Sequence, residues 1–401
     1  MKIVIIPSAE LSYNSGSVIY AKMLFEYLLN EGHQVYMLGN CIPDDIDEKY
    51  KKFIKVGSDL LFHPIIDDRV VSDIQYMKMH TNILDIITEI YEEWGKIDVI
   101  HAHYASINSY SASCIKKFLN IPFVVSSFGR DINIGWGCDE RIKTFISESL
   151  PFSSRIVVSE DELGKKIIDI IPKIKENKII TIPMPLDDRI LQDGVQDIIE
   201  KDSDAIIISS INSCFTPEKG IDDVLEAFAL ISKNTNCKLY IAGQDDDEKQ
   251  LNYKKIIRKI SELNIKDKVY LLGYISREQV GKLLEQTDIF IDARYKGNFS
   301  SVLLEAQFKK SVTIASDNDA AKKIITNGQN GLLYPVGNVK LLANTIEKLI
   351  YNKELYNNLE KGMNKWCNTK GKEYNKEYCL KKIMQVLFDG KVTLRYQQNV
   401  A

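Results

Sequence analysis

Gly297-Asn298-Phe299-Ser300-Ser301-Val302-Leu303-Leu304-Glu305-Ala306 follows an apolar run, Asp288 to Ala293, and opens a helical pattern that carries Glu305. The run before it has the length and composition of a buried strand, so the stretch reads as a strand-to-helix turn. Glycine and small hydroxyl residues at a helix N-terminus let backbone N–H groups approach an anion, and the helix dipole favours phosphate there. One turn further on, Glu305 offers a carboxylate to sugar hydroxyls. Diphosphate and ribose together suggest a nucleotide-sugar. Gly, Asn and Ser also suit any strand-to-helix turn of an α/β sheet, so the stretch alone leaves both readings open.

The alternation of strand and helix extends on both sides of this turn. Downstream of Ala205, strands are expected at Ile206 to Ile208, Lys238 to Ala242, Lys268 to Leu272, Asp288 to Ala293 and Val312 to Ala315. A loop runs to Gly220, after which Ile221, Val224, Leu225 and Phe228 recur at helical spacing. In the first half, Met1 to Pro7 reads as a strand buried on both faces, and a polar loop with Gly16 follows it. Ala21, Leu24, Phe25, Leu28 and Leu29 then mark a helix that stops at Gly32. Further strands are expected at His33 to Leu38, Asp98 to His103, Pro122 to Ser127, Arg155 to Ser159 and Ile179 to Pro183.

The pattern weakens over the polar stretch Pro185 to Asp204, and 401 residues are too many for one ordinary core. The expectation is an α/β protein of two Rossmann-like parallel-sheet domains, 1–185 and 204–372, facing a cleft. The helical stretch Glu373 to Phe388 belongs to either half. Ligands of such sheets sit outside the carboxyl ends of the strands, so the cleft is the expected site.

Hydrophobic residues make up 45% and charged residues 27%, with a formal net charge of -3, which argues against general nucleic-acid binding. No apolar run reaches the length of a membrane span, and Met1 begins a strand rather than a leader. The cysteines at 41, 114, 138, 214, 237, 367 and 379 are dispersed and read as reduced cytoplasmic thiols. Asp317-Asn318-Asp319 mimics a D-x-D metal motif and Asp245-Asp246-Asp247 is an acidic loop, but no histidine follows His103, and no metal is expected. His103 ends a strand, either facing the cleft or hydrogen-bonded inside.

Pro217-Glu218-Lys219-Gly220 precedes a helix in the first loop of the second half, where Lys219 reaches for a diphosphate and Gly220 permits close backbone approach. Together with the Ser300 turn, this run resembles the second half of retaining, GT-B-fold, family-4 glycosyltransferases. Their pattern reads roughly G-R-x-x-x-E-K-G, then E-G-F-G-x-x-x-x-E. Lys268-Val269-Tyr270-Leu271-Leu272-Gly273-Tyr274 and Asn330-Gly331-Leu332-Leu333 are similar to that family as well. The resemblance covers Ala205 to about Ile350 well and the first half loosely. It implies a sugar transfer from a nucleotide diphosphate donor to a glycan, lipid-linked or polymer acceptor, with retained anomeric configuration and no further cofactor. Lys219 would bind the diphosphate, Glu305 the ribose, and amides around Phe299, Ser300 and Ser301 the distal phosphate. Gly273 and Tyr274 would flank the base. Gly16, between Asn14, Ser15 and Ser17, would border a phosphate or the acceptor.

Three departures fall near the chemistry. Cys214 stands where the resemblance expects an arginine, Gly297 where it expects the first glutamate of a spaced pair, and Phe128 where it expects the histidine of a His-Gly-x-Asp turn. Arg294, at a strand end with a fork suited to bidentate binding, and Arg130, in the first-half turn, are the candidate replacement cations, or else surface arginines each paired with a nearby acid. Arg130, Asp131, Gly297 and Asn298 are thus the candidate catalytic positions. The rival reading is a non-catalytic homologue acting as partner subunit or chaperone of another glycosyltransferase. An epimerase would need acid–base groups that Gly297 and Phe128 do not supply. Lys49 to Lys55, basic with interleaved aromatics, reads as a solvated helix face, or as a peripheral contact with anionic lipid.

Overall fold

The computed structural model describes residues 1–12, 15–57, 71–199, 204–245, 250–297 and 299–398, with side chains described as far as 391. It divides into two compact units, Met1–Pro185 with Glu373–Ala401, and Leu186–Lys372.

The first unit is built on seven parallel strands, β1 (Lys2–Ile6), β2 (Gln34–Gly39), β3 (Ile54–Val56), β4 (Val99–His103), β5 (Phe123–Ser127), β6 (Arg155–Val158) and β7 (Ile179–Thr181). Their order is β3-β2-β1-β4-β5-β6-β7. Side chains alternate between faces along each strand. Val4, Ile6, Ile100, Ala102, Phe123 and Val125 therefore join one core, packed with Ile83, Ile87 and Ile90 of the helix Asp73–Trp94. Ile3, Ile5, Val35, Met37, Val99, Val124 and Val157 join another. That second face is covered by the helix Gly16–Asn30 and by Cys379, Leu380, Ile383, Val386 and Leu387 of the last helix, Lys376–Gln398.

The second unit has six parallel strands, β8 (Ile206–Cys214), β9 (Cys237–Gln244), β10 (Val269–Gly273), β11 (Ile289–Asp292), β12 (Val312–Ser316) and β13 (Leu332–Tyr334). Their order is β10-β9-β8-β11-β12-β13. In each sheet the chain leaves a central strand in one direction and later returns on its other side. This creates topological switch points at β1/β4 and β8/β11, where loops diverge and ligands bind in such sheets.

Two sequence expectations change. The short edge strands β3 and β13 are additions, because Lys55 interrupts the first and Gly331 and Pro335 bound the second, whereas the equally short β7 lies in the apolar run Ile179 to Ile182. The polar stretch after Pro185 belongs to the second unit from Leu186 onward. It holds the short helical turn Asp188–Leu191 packed on the helix Arg277–Glu285, where a Cβ on Gly281 would stand 2.0 Å from the Ile190 carbonyl oxygen. In the basic segment Lys49 to Lys55, Lys49 pairs with Asp47, Lys51 with Glu48 and Lys55 with Glu93 at the surface, while Tyr50 is buried. No described helix is long and apolar enough to cross a membrane.

Candidate functional site

At the second unit's switch point, Ile208 and Ser209 of β8 pair with Ile289 and Phe290 of β11, and the loops that follow run together. Gly220 closes the first loop with φ +68°, and a Cβ there would stand 2.2 Å from the Ala293 carbonyl oxygen at the end of β11. Only glycine permits that approach. The Tyr295 N–H donates to the Glu218 carbonyl at 2.8 Å. Lys219, between the two contacts, is thereby held beside the turn that Arg294 begins.

Asp292 organises that turn. Its Oδ1 accepts from Arg294 Nε at 2.8 Å, and its Oδ2 accepts from Ser300 Oγ at 2.5 Å. Ser300 Oγ in turn accepts from the Leu303 N–H at 3.3 Å and caps the helix Ser301–Phe308. Burial alone would raise the Asp292 pKa, but Arg294, Ser300 and Lys219 together hold it below its usual range. Burial, and then the neighbouring Arg294 charge, push the Lys219 ammonium below its usual range. Lys219 makes no salt bridge among the described residues. Two cations against one carboxylate leave net positive charge where the first N–H groups of a helix, from Ser301 onward, lack intrahelical acceptors. That combination attracts an anion.

The turn also bears on the readings of Arg294 and Gly297. Arg294 does not present an open fork: Nε is committed to Asp292, and Nη1 donates to the Phe299 carbonyl at 3.2 Å. Nη2 is the nitrogen left over, so Arg294 acts as a fixed charge rather than a bidentate clamp. Gly297 is not a steric glycine. A Cβ there would meet Arg294 Cδ at 3.4 Å and Ala320 Cβ at 3.9 Å, which is ordinary contact. Asn298 lies outside the described residues.

Glu305 is 2% exposed. Arg277 Nη2 donates to Oε1, while Oε2 is buried without a hydrogen-bond donor. Burial raises the Glu305 pKa, and Arg277 opposes that rise. Arg277 Nε reaches on to Asp187 Oδ2 at 3.0 Å, and Arg189 Nε meets Asp187 Oδ1 at 3.0 Å. Sequence reasoning missed Arg277 and Asp187. The only local signal is Ser276, which caps the helix that Arg277 begins; pairings between distant residues have no fixed spacing to read. Gly273 ends β10 with φ +67° in open space, and Tyr274 beyond it is 55% exposed.

In the first unit, Gly16 opens the helix Gly16–Asn30 after β1, and Ser8 Oγ donates to Ser17 Oγ at 2.8 Å. Asp131 is fully buried; it accepts from the Ala105 N–H at 2.7 Å, Ser127 Oγ at 2.9 Å and the Gly129 N–H at 3.1 Å. Burial pushes its pKa up to about 6 against these donors. Asp131 therefore ties the ends of β4 and β5 together, and Arg130 stands half-buried beside it. The Phe128 ring packs on those of Tyr20, His103 and Tyr104. His103 is fully buried rather than facing outward, with no hydrogen-bond partner at either ring nitrogen. Among the described residues no group of three or more His, Cys, Asp or Glu side chains converges as a metal site.

Residues 195–366 match the model of the family described as Glycosyl transferases group 1. That match covers most of the second unit, Leu186–Lys372. Across most of its length the chain is 24% identical over 352 residues to N-acetyl-alpha-D-glucosaminyl L-malate synthase of Bacillus anthracis, covering 86% of this chain and 87% of that one. Sucrose-phosphate synthase from Thermosynechococcus elongatus superposes with a TM-score of 0.75 at 16% identity, over 96% of this chain and 98% of that one. HepE of Anabaena, solved with UDP and glucose, superposes with a TM-score of 0.73 at 12% identity, over 96% and 99%. At those identities the superpositions establish the shared fold, two Rossmann-like parallel-sheet units of GT-B type.

Proposed function

We propose that the protein is a retaining glycosyltransferase that takes a hexosyl or N-acetylhexosaminyl group from a nucleotide diphosphate-sugar. The observation that carries this reading is the pair of cations, Lys219 and Arg294, beside the Ser300-capped helix at the β8/β11 switch point. The bond from the anomeric carbon to the diphosphate breaks, and negative charge grows on the leaving oxygen. Lys219 and Arg294 stabilise that charge, a task for which fixed cations in a low-dielectric site are well suited. The acceptor oxygen bonds on the face the diphosphate leaves, and its proton passes to a leaving phosphate oxygen. Glu305 holds the ribose, Gly273 and Tyr274 border the base, and amides from Phe299 to Ser301 hold the distal phosphate. Gly16, Arg130 and Asp131 serve the substrates in the first unit, and the charge balance in the second calls for no metal ion. The acceptor is a glycan, lipid-linked intermediate or polymer. The free state of all seven cysteines accords with a cytoplasmic site of action.

Thermal shift against UDP, GDP, ADP and their sugars tests the binding half of this reading, since a ligand that binds only the folded state raises the midpoint. Release of free nucleoside diphosphate from the matching sugar donor tests the chemical half. No shift with any nucleotide overturns the proposal; binding without turnover, even with candidate acceptors present, would identify a non-catalytic homologue.

A further inference from the structure

The buried carboxylate of Glu305 is incomplete. One oxygen is held by Arg277, and the other lies in the interior without a donor. An unsatisfied buried acceptor is costly, and polar groups in that position are normally completed by water or a ligand. Arg277 is itself fixed from behind, because Asp187 accepts from its Nε at 3.0 Å and is 3% exposed. Asp187 is held in turn by Arg189 through Nε and Nη2, at 3.0 and 2.9 Å. The chain of contacts thus runs from the first residues of the second unit, through the start of the helix Arg277–Glu285, to the helix Ser301–Phe308.

We propose that Asp187 and Arg277 are positioning residues that hold Glu305 by one oxygen and leave Oε2 as the acceptor for the hydroxyls of a nucleotide ribose. This rests on the nucleotide-sugar reading above and adds to it a mechanism for telling ribose from deoxyribose. A planar guanidinium with Nε on Asp187 and Nη2 on Glu305 fixes the rotamer of both partners. Without it, the Glu305 carboxylate loses its bonded counter-charge in a desolvated site, keeps only the weaker influence of Arg189, and takes up a proton. A neutral acid is a weaker acceptor for sugar hydroxyls. Diphosphate binding at Lys219 and Arg294 does not pass through this contact, so the two halves of nucleotide affinity separate.

Calorimetric titrations test it with UDP, GDP and ADP, each beside its 2′,3′-dideoxy counterpart, and with inorganic diphosphate. For whichever base the wild-type protein binds, the ribonucleotide is expected to bind about ten- to a hundredfold tighter than the dideoxy form, the range of a hydrogen bond to a charged group. In Arg277→Ala and Asp187→Asn that ratio falls toward one while inorganic diphosphate affinity holds, which also reports a folded site. Arg277→Lys restores part of the ratio, and in Arg277→Ala the ratio recovers with rising pH as Glu305 deprotonates. A ratio near one in the wild-type protein, or one unchanged in the variants, overturns the positioning role while nucleotide binding stands. Failure of the wild-type protein to bind any of the nucleotides overturns both.

Discussion

Lys219 is the residue whose loss separates a phosphate site from a merely basic loop. Lys219→Ala removes one charge-assisted contact, so affinity for the bound nucleoside diphosphate is expected to fall by about 1.5–3 kcal/mol with little change in stability. Calorimetry on variant and parent checks both. Gly220→Ala meets the Ala293 carbonyl, and its positive φ adds strain, so it is expected to lower the unfolding midpoint and displace Lys219 together. Gly297 contrasts with Gly220: neither a positive φ nor a close neighbour demands glycine there. Gly297→Ala is therefore expected to leave stability within about 0.5 kcal/mol of the parent, as for an uncrowded surface change, and urea unfolding measures it. Lys219, Gly220 and Ser300 were legible in the sequence because each sits in a short motif. The role of Asp292, which gathers Arg294 and Ser300, was not, since an aspartate at a strand end carries no distinguishing pattern. The committed fork of Arg294 was hidden for the same reason.

At the scale of elements, the helix Ser301–Phe308 depends on its cap. Ser300→Ala removes both the bond to the Leu303 N–H and the bond to Asp292. The cap alone is worth about 0.5–2 kcal/mol, and denaturant unfolding followed by tyrosine fluorescence is expected to show at least that loss. Diphosphate affinity is expected to fall with it, because the first-turn N–H groups lose their fixed direction. The long central strands were readable from their apolar runs, since burial on both faces requires Val and Ile at consecutive positions. The edge strands β3 and β13 were not, for Lys55 interrupts the first and Gly331 and Pro335 bound the second, while the equally short β7 sits in an apolar run. The polar stretch after Pro185 misled for a related reason: Asp187 is buried by virtue of its arginines, and polarity alone predicts exposure.

Across the whole molecule, the first unit contains an acid-sensitive element in the buried pair His101 and His103. Burial holds His101 down to about 3 and His103 well below its ordinary 6.5. The unfolded chain therefore binds protons below pH 6.5 that the folded chain refuses, and stability falls as pH drops through that value. Asp131 acts in the opposite sense between about 6 and its ordinary 3.8, because the folded state takes up its proton first. Two histidines outweigh one aspartate, so a net loss is expected between pH 6.5 and 5; a shallower loss in His103→Leu would confirm the source. The two-unit alternation was evident from the sequence, but the assignment of residues 373–401 to the first unit was not. Helical periodicity shows that a helix has an apolar stripe without showing which sheet receives it. That assignment has a consequence for biosynthesis. Val99, Val124 and Val157 receive the cover of Leu380, Ile383, Val386 and Leu387 only after the whole intervening unit has been translated, a delay on the order of ten seconds or more at ordinary elongation rates. Through that interval the nascent chain carries a greasy, half-clothed sheet, and any ribosome that stalls before Lys376 releases a product that chaperones must hold or proteases must clear.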